Sequence, residues 1–276
     1  MRRALELAAR GRTSPNPMVG AVVVKQGKVV GEGYHSRAGY PHAEVEALRQ
    51  AGNKARSADL YVNLEPCCHF GRTPPCTDAI IQAGIKRVFV GMKDPNKQVS
   101  GKGLRALKAQ GIVIVSGILK KECMKLNESF VKVMQTGMPF VIMKTAMSLD
   151  GKIATRSGDA RWISGELARK HVHKIRNHVD AILVGTETVL KDNPRLTCRL
   201  ATGSVEHPIR IILDRRNRIP LTANVFKNSR SQPVIYVTGS DISPARQKAL
   251  VARKVEILNG KFGKNGFHIK PLLKEL

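Results

Sequence analysis

Aromatic residues make up only 4% of this 276-residue chain, with a single Trp, and acidic side chains are scarce, 21 against 47 Lys and Arg. No run of about 18 apolar residues occurs, so no segment reads as a membrane-spanning helix. The start, "MRRALELAAR", lacks the continuous apolar stretch and small-residue cleavage site of a secretory leader and reads as a helix, so a soluble cytoplasmic protein is the expectation. Five Cys, three of them within residues 67–76, make a poor disulfide framework in a chain of this length and suit metal binding better. In residues 139–276 no G-x-G-x-x-G follows a strand-like run, so there is no sign there of the usual doubly wound dinucleotide fold.

The net charge of +26 would ordinarily suggest nucleic acid. The excess is spread evenly, however: residues 1–138 carry 22 basic and 10 acidic side chains (+12), and residues 139–276 carry 25 and 11 (+14). With few aromatics to stack on bases, attraction of anionic small molecules is the better reading, and no specific nucleic-acid or membrane partner is expected.

Apolar runs alternate with amphipathic segments through the first half. Residues 18–24 and 28–35 read as a hairpin. Runs 59–65, 87–92 and 112–118 read as strands, and 43–52, 76–84 and 103–111 as helices closed by Gly. Strand–helix alternation implies a mostly parallel sheet covered on both faces, a three-layer α/β domain. After a Gly- and Pro-containing linker at 133–139, a second series begins. It has strands at 140–148, 181–186, 209–214, 233–238 and 255–258, and helices at 165–179 and 243–254, the last with Ser and Pro at its start. Two domains, 1–138 and 139–276, are expected.

One His, one Glu two residues on, and two Cys nine positions apart form the chemical signal, in "PHAEVEALRQ" and "EPCCHFGRTPPC". Catalytic zinc takes three protein ligands and keeps a fourth position open. His42, Cys67 and Cys76 supply three, and Glu44 is placed to move protons without ligating. H-x-E with P-C-x-x-C marks zinc nucleobase deaminases, and here the second Cys comes nine residues on instead of three. A structural site closed by Cys68 or His69, or thiols without metal, are the alternatives.

These motifs resemble a known family. "TSPNPMVGAVVV" (13–24), "HAE" (42–44), "EPCCHFGRTPPC" (65–76) and "KDPNKQVSGKG" (93–103) resemble the deaminase half of the bifunctional riboflavin-biosynthesis deaminase–reductases. "KTAMSLDGKIAT" (144–155), "RWIS" (161–164) and "GTETVLKDNPRLTCR" (185–199) resemble the reductase half.

The resemblance implies a cytidine-deaminase-like domain followed by a dihydrofolate-reductase-like one. It implies zinc-dependent removal of the 2-amino group of a diaminopyrimidinone ribosylamine 5′-phosphate, then NADPH-dependent reduction of the ribosyl to a ribityl chain. His42, Cys67 and Cys76 match the zinc ligands, Glu44 the proton shuttle, and Asn16 and His69 the pyrimidine pocket. Ala146, Trp162, Thr188 and Asp192 match cofactor contacts, and Lys152, Arg176, Leu196 and Arg199 substrate contacts. Ala160 stands where the family usually has Ser. The family's acidic-Gly-Gly turn does not occur before Leu276, so a reductase domain without its C-terminal part, and weak reductase activity, are expected. A homo-oligomer is also implied. A tRNA or nucleic-acid deaminase, and an RNA-binding protein with structural zinc, are the competing readings.

Overall fold

The computed structural model describes residues 1–71, 74–97, 99–201, 205–239, 242–264 and 266–276. The chain divides into two compact units, Met1–Phe140 and Val141–Leu276.

The first unit opens with helix α1 (Arg2–Ala8), followed by strands β1 (Gly20–Lys25) and β2 (Lys28–Tyr34). A two-residue turn joins the strands; Gln26 and Gly27 both have positive φ (49° and 75°), the geometry that matches the twist of an antiparallel pair. Next come α2 (Ala43–Ala51), β3 (Asp59–Leu64), α3 (Cys76–Gln82), β4 (Arg87–Met92), α4 (Lys102–Ala109) and β5 (Val113–Ser116). Helices α5 (Lys120–Leu126) and α6 (Glu128–Thr136) complete the unit. The sheet order is β2-β1-β3-β4-β5, parallel from β3 to β5 and antiparallel on the hairpin side.

Period-two alternation sorts the strands onto two faces. Ala21, Val23, Leu60, Val62, Val88 and Val90 pack with Ala43, Ala47, Leu48 and Ile80 of α2 and α3. Val22 and Tyr61 face the other way, against Ala4 and Leu7 of α1. Helices therefore cover both faces. Helix α2 lies unusually close to β2: a Cβ on Gly31 would sit 2.1 Å from the Ala47 carbonyl, and one on Gly33 would sit 2.3 Å from that of Ala43. Only glycines on the strand permit this approach, and it fixes the N-terminus of α2, where His42 and Glu44 stand.

The second unit contains α7 (Glu166–Arg176), β6 (Ala181–Gly185), α8 (Thr186–Asp192), β7 (Ile209–Leu213), β8 (Val234–Thr238), α9 (Pro244–Ala252) and β9 (Glu256–Asn259). A short pair, β10 (Phe262–Gly263) and β11 (Gly266–Phe267), precedes α10 (Ile269–Glu275). Strands β6-β7-β8-β9 form a parallel sheet. The Ser243 side chain accepts from the Arg246 N–H and Pro244 opens α9, as the sequence anticipates. Asp214, fully buried at the end of β7, accepts from Tyr236 Oη (2.8 Å), the Ile219 N–H (2.8 Å) and Thr186 Oγ1 (3.1 Å), tying β7, β8 and the start of α8 together.

Two expectations are corrected. Residues 140–148 form no strand. A strand needs a ladder partner, and none pairs with this segment among the described residues; Val141, Ile142 and Met143 stay 61%, 54% and 87% exposed. Nor does a linker begin at residue 133, because α6 continues through Thr136 and ends at Gly137, whose φ of 63° suits a helix stop.

Candidate metal centre

The approach of α2 to β2 brings the N-terminus of α2 beside the C-terminal end of β3 and the first turn of α3. His42 is the N-cap residue of α2, Cys67 follows β3 by three residues, and Cys76 is the first residue of α3. His42 Nδ1 lies 3.1 Å from Cys76 Sγ and 3.5 Å from Cys67 Sγ, and all three ligand atoms fall within 4.8 Å of one another. Tetrahedral zinc with two sulfurs and one nitrogen has ligand–ligand edges of about 3.6 to 3.8 Å, so little movement would be needed to hold the ion. Cys68 and His69 do not join this group, which among the described residues offers three ligands and not four.

The cluster is electrostatically prepared for a cation. Cys67 is held well below the ordinary thiol range, first by its hydrogen bond with Cys76 and then by His42, and the Cys76 N–H also donates to its sulfur (3.3 Å). That same bond, with burial, pushes Cys76 upward. His42 is raised, first by Cys67. Glu44 is buried and close to Cys76 but outside the ligand group; burial, followed by the charge of Cys67, pushes its carboxyl up to about 7.

These groups meet at a cavity of about 500 Å³, whose lining includes Asn16, His35, Glu44, His69, Asp94 and Phe130. Asn16 is half-buried and His69 exposed, and both line the cavity. The loop bearing Asn16 is anchored by two asparagines. Asn63 accepts from the Gly20 N–H (2.8 Å) and donates to the Met18 carbonyl (2.9 Å), while Asn127 accepts from the Met18 N–H (2.7 Å).

Two further residues shape the cavity and were not anticipated. His35, only 2% exposed, bonds to Asn16 and to the Pro41 carbonyl, with its ring edge-on to His42 at 5.3 Å. Glu65 is 3% exposed, and its carboxylate accepts from four backbone N–H groups, those of Asp94, Gly101, Gly103 and Leu104. It thereby straps the 93–104 segment to the strand end that carries Cys67. The available signal was an acidic residue directly before Pro-Cys and a His closing the β2 run.

In the second unit, Arg176 and Arg199 come together at the end of α7. The Arg176 guanidinium donates to the Thr197 carbonyl (3.1 Å), and the Arg199 N–H donates to His173 Nδ1 (3.1 Å). Burial, and then the nearby charge of Arg199, lower the Arg176 pKa. Lys152 is exposed in a turn closed by Ser148, and no described contact joins it to that pair. Leu196 is 4% exposed and packed in the core, leaving its backbone as the part that can meet a ligand.

Trp162 is 71% exposed with the Arg169 guanidinium 4.4 Å above its ring. The neighbouring Arg161 donates to the Asp192 carbonyl (3.0 Å), which brings Trp162 toward α8, where Thr188 is also exposed. An exposed indole face beside a helix that offers a Thr hydroxyl and an Asp carboxylate is a stacking and hydrogen-bonding set compatible with a dinucleotide. Ala146 is half-buried in the unpaired 140–148 segment. No helix among the described residues is long and apolar enough to cross a membrane.

Comparison with known proteins agrees with both units. Residues 1–92 match the cytidine and deoxycytidylate deaminase zinc-binding region, and residues 139–276 match the RibD C-terminal domain. The riboflavin biosynthesis protein RibD of Aquifex aeolicus is 48% identical over 278 residues, covering 100% of this chain and 76% of that protein. The Escherichia coli RibD is 50% identical over 232 residues, covering 79% of this chain and 63% of that one. The solved structure of Acinetobacter baumannii RibD (form 2) superposes with a TM-score of 0.88 at 44% identity, covering 100% of this chain and 75% of its own. A deaminase/reductase structure from Thermotoga maritima gives 0.88 at 43%, covering 100% and 76%. The chain thus spans between 63% and 76% of the length of these relatives.

Proposed function

The chain belongs to the RibD family of riboflavin-biosynthesis proteins, and on that premise we propose the reaction of each half, taken as residues 1–138 and 139–276. The first is a hydrolytic deaminase acting on a 2,5-diamino-6-ribosylaminopyrimidinone 5′-phosphate; the second is an NADPH-dependent reductase that converts the ribosyl group of the product to ribityl. The observation that carries the first assignment is the three-ligand cluster of His42, Cys67 and Cys76 with buried Glu44 beside it, at the edge of a cavity large enough for a pyrimidine.

When bound, zinc supplies the Lewis acidity that makes water a nucleophile at neutral pH. Glu44, which is not a ligand, takes a proton from the attacking water and delivers it to the departing amine. The C–O bond forms, the C–N bond breaks, and ammonia leaves. Burial of Glu44 keeps solvent from competing for that proton. Asn16 and His69 orient the ring. In the second half, Arg176 and Arg199, with Lys152 and the Leu196 backbone, hold the substrate phosphate and sugar by charge-assisted bonds. Trp162, Thr188, Asp192 and Ala146 would hold NADPH, which supplies the hydride. A homo-oligomer and a cytoplasmic location form part of this proposal, on the family resemblance.

Glu44→Gln tests the assignment. Its zinc content, by metal analysis, should match the wild type, while ammonia release from the pyrimidinone phosphate should fall by about 10²- to 10⁴-fold. Retained turnover would refute Glu44 as the proton carrier.

A further inference from the structure

We propose that His35 is a positioning residue that turns the Asn16 side-chain oxygen toward the cavity, so that the site reads an N–H donor next to the amino-bearing carbon of its substrate. The argument begins with the Pro41 carbonyl, which can only accept. His35 Nδ1 lies 3.1 Å from it and must therefore carry the hydrogen of that bond. Burial at 2% exposure favours the uncharged ring, and a neutral imidazole protonated at Nδ1 has a bare acceptor at Nε2. Asn16 Nδ2 lies 3.2 Å from Nε2, so the amide nitrogen donates there and Oδ1 is turned away from His35.

Little else can set this orientation. The Asn16 backbone is already fixed, its N–H donating to the Thr13 carbonyl (2.7 Å) and its carbonyl accepting from Thr13 Oγ1 (2.8 Å). What remains is rotation of the amide, and the tautomer of His35 decides it. His35 is 2% exposed, which shields this pair from exchange with water. The two bonds form a relay from a backbone carbonyl, through one imidazole, to the polarity of a cavity-lining group.

The consequence for substrate choice rests on the pyrimidinone reading given above. In a 2-amino-4-oxopyrimidine, the carbon that loses ammonia is flanked by one ring N–H and one bare ring nitrogen. In cytosine, the amino-bearing carbon is flanked by a bare ring nitrogen and a C–H, with no N–H beside it. An Asn16 oxygen at that edge accepts from the first ring and opposes a lone pair in the second. Sites that leave a buried polar group unpaired against the wrong ligand discriminate strongly.

The test has two independent arms. In the zinc-loaded full chain with ¹⁵N-labelled histidine, long-range ¹H–¹⁵N correlation should show His35 with hydrogen on Nδ1 and a bare Nε2, assigned by loss of the signal in His35→Gln. A hydrogen on Nε2 would overturn the proposal even if neither Asn16→Leu nor His35→Phe folds. In the second arm, ammonia release is measured from the pyrimidinone phosphate and from cytidine 5′-monophosphate. Asn16→Leu and His35→Phe should lose about tenfold or more in kcat/KM on the first with zinc content unchanged, and should narrow the preference over the second. Unchanged preference in both variants would refute the role of His35. A wild-type chain that releases no ammonia from the pyrimidinone would instead overturn the reaction itself, leaving the tautomer result to judge His35.

Discussion

Glu65→Gln isolates the strap behind the metal centre. The wild-type carboxylate accepts from Gly103 (3.0 Å) and Leu104 (3.3 Å) at one oxygen, and from Gly101 (2.9 Å) and Asp94 (3.2 Å) at the other. A glutamine amide keeps the shape but offers one acceptor and one donor group. Whichever way it turns, its NH₂ confronts two backbone N–H groups in a site only 3% exposed. Leaving two buried donors unpaired costs about 1–3 kcal/mol each, and relaxation of the loop recovers part of that, so a net loss of about 2–4 kcal/mol is expected. At about 3 °C per kcal/mol for a unit of this size, the first unit's unfolding temperature should drop by about 6–12 °C. A Cβ on Gly103 would stand 2.1 Å from the Pro66 carbonyl, so the loop rests directly on the residue before Cys67. Loosening it should therefore weaken zinc retention as well. Calorimetry of the full chain with and without a chelator identifies the zinc-dependent transition and measures its shift. A shift under 1 °C with unchanged zinc affinity would show that the four bonds carry no net weight and that Cys67 is held by other means.

Cys68→Ser should leave zinc content and ammonia release near wild type, whereas Cys67→Ser and Cys76→Ser should lose the metal. Zinc loss from Cys68→Ser, measured by metal analysis, would point to a closed four-ligand site. Asp214→Ala should destabilise the second unit by about 1–3 kcal/mol, since it leaves the buried Ile219 N–H without its acceptor and the Tyr236 hydroxyl with only Asn217, while Thr186 keeps the Leu213 carbonyl. Chemical denaturation followed by the single Trp, at position 162, checks this, and an unchanged midpoint would mean that water or Asn217 replaces the carboxylate.

The first unit was legible because its local signals agree with one another. The turn "KQGK", glycine stops after helices and period-two strands all favour the same elements, and the observed strands begin and end within a few residues of expectation. Residues 140–148 fail for the opposite reason. Their composition favours a strand, yet β structure is completed by a partner, and apolar spacing says nothing about whether one is at hand. Helices α5 and α6 escaped because "KKECMKLNESF" breaks at Asn127, whose side chain is spent on the Met18 backbone and not on a helix pattern.

The same distinction separates ligands from their supports. His, Glu and Cys at fixed spacing announce a metal because few other arrangements need those types together. Glu65 and His35 have no such signature: each is recognisable only by what surrounds it in space. A carboxylate collecting four N–H groups 29 to 39 residues away, and an imidazole 19 residues beyond the amide it orients, act through contacts that primary structure separates widely. A reaction class can be inferred from atoms that touch the ion. Which ring enters depends on the polarity of atoms that face it, and that polarity is set by neighbours brought together only by folding. For this chain, substrate choice is therefore written less in His42, Cys67 and Cys76 than in the bond from Pro41 through His35 to Asn16.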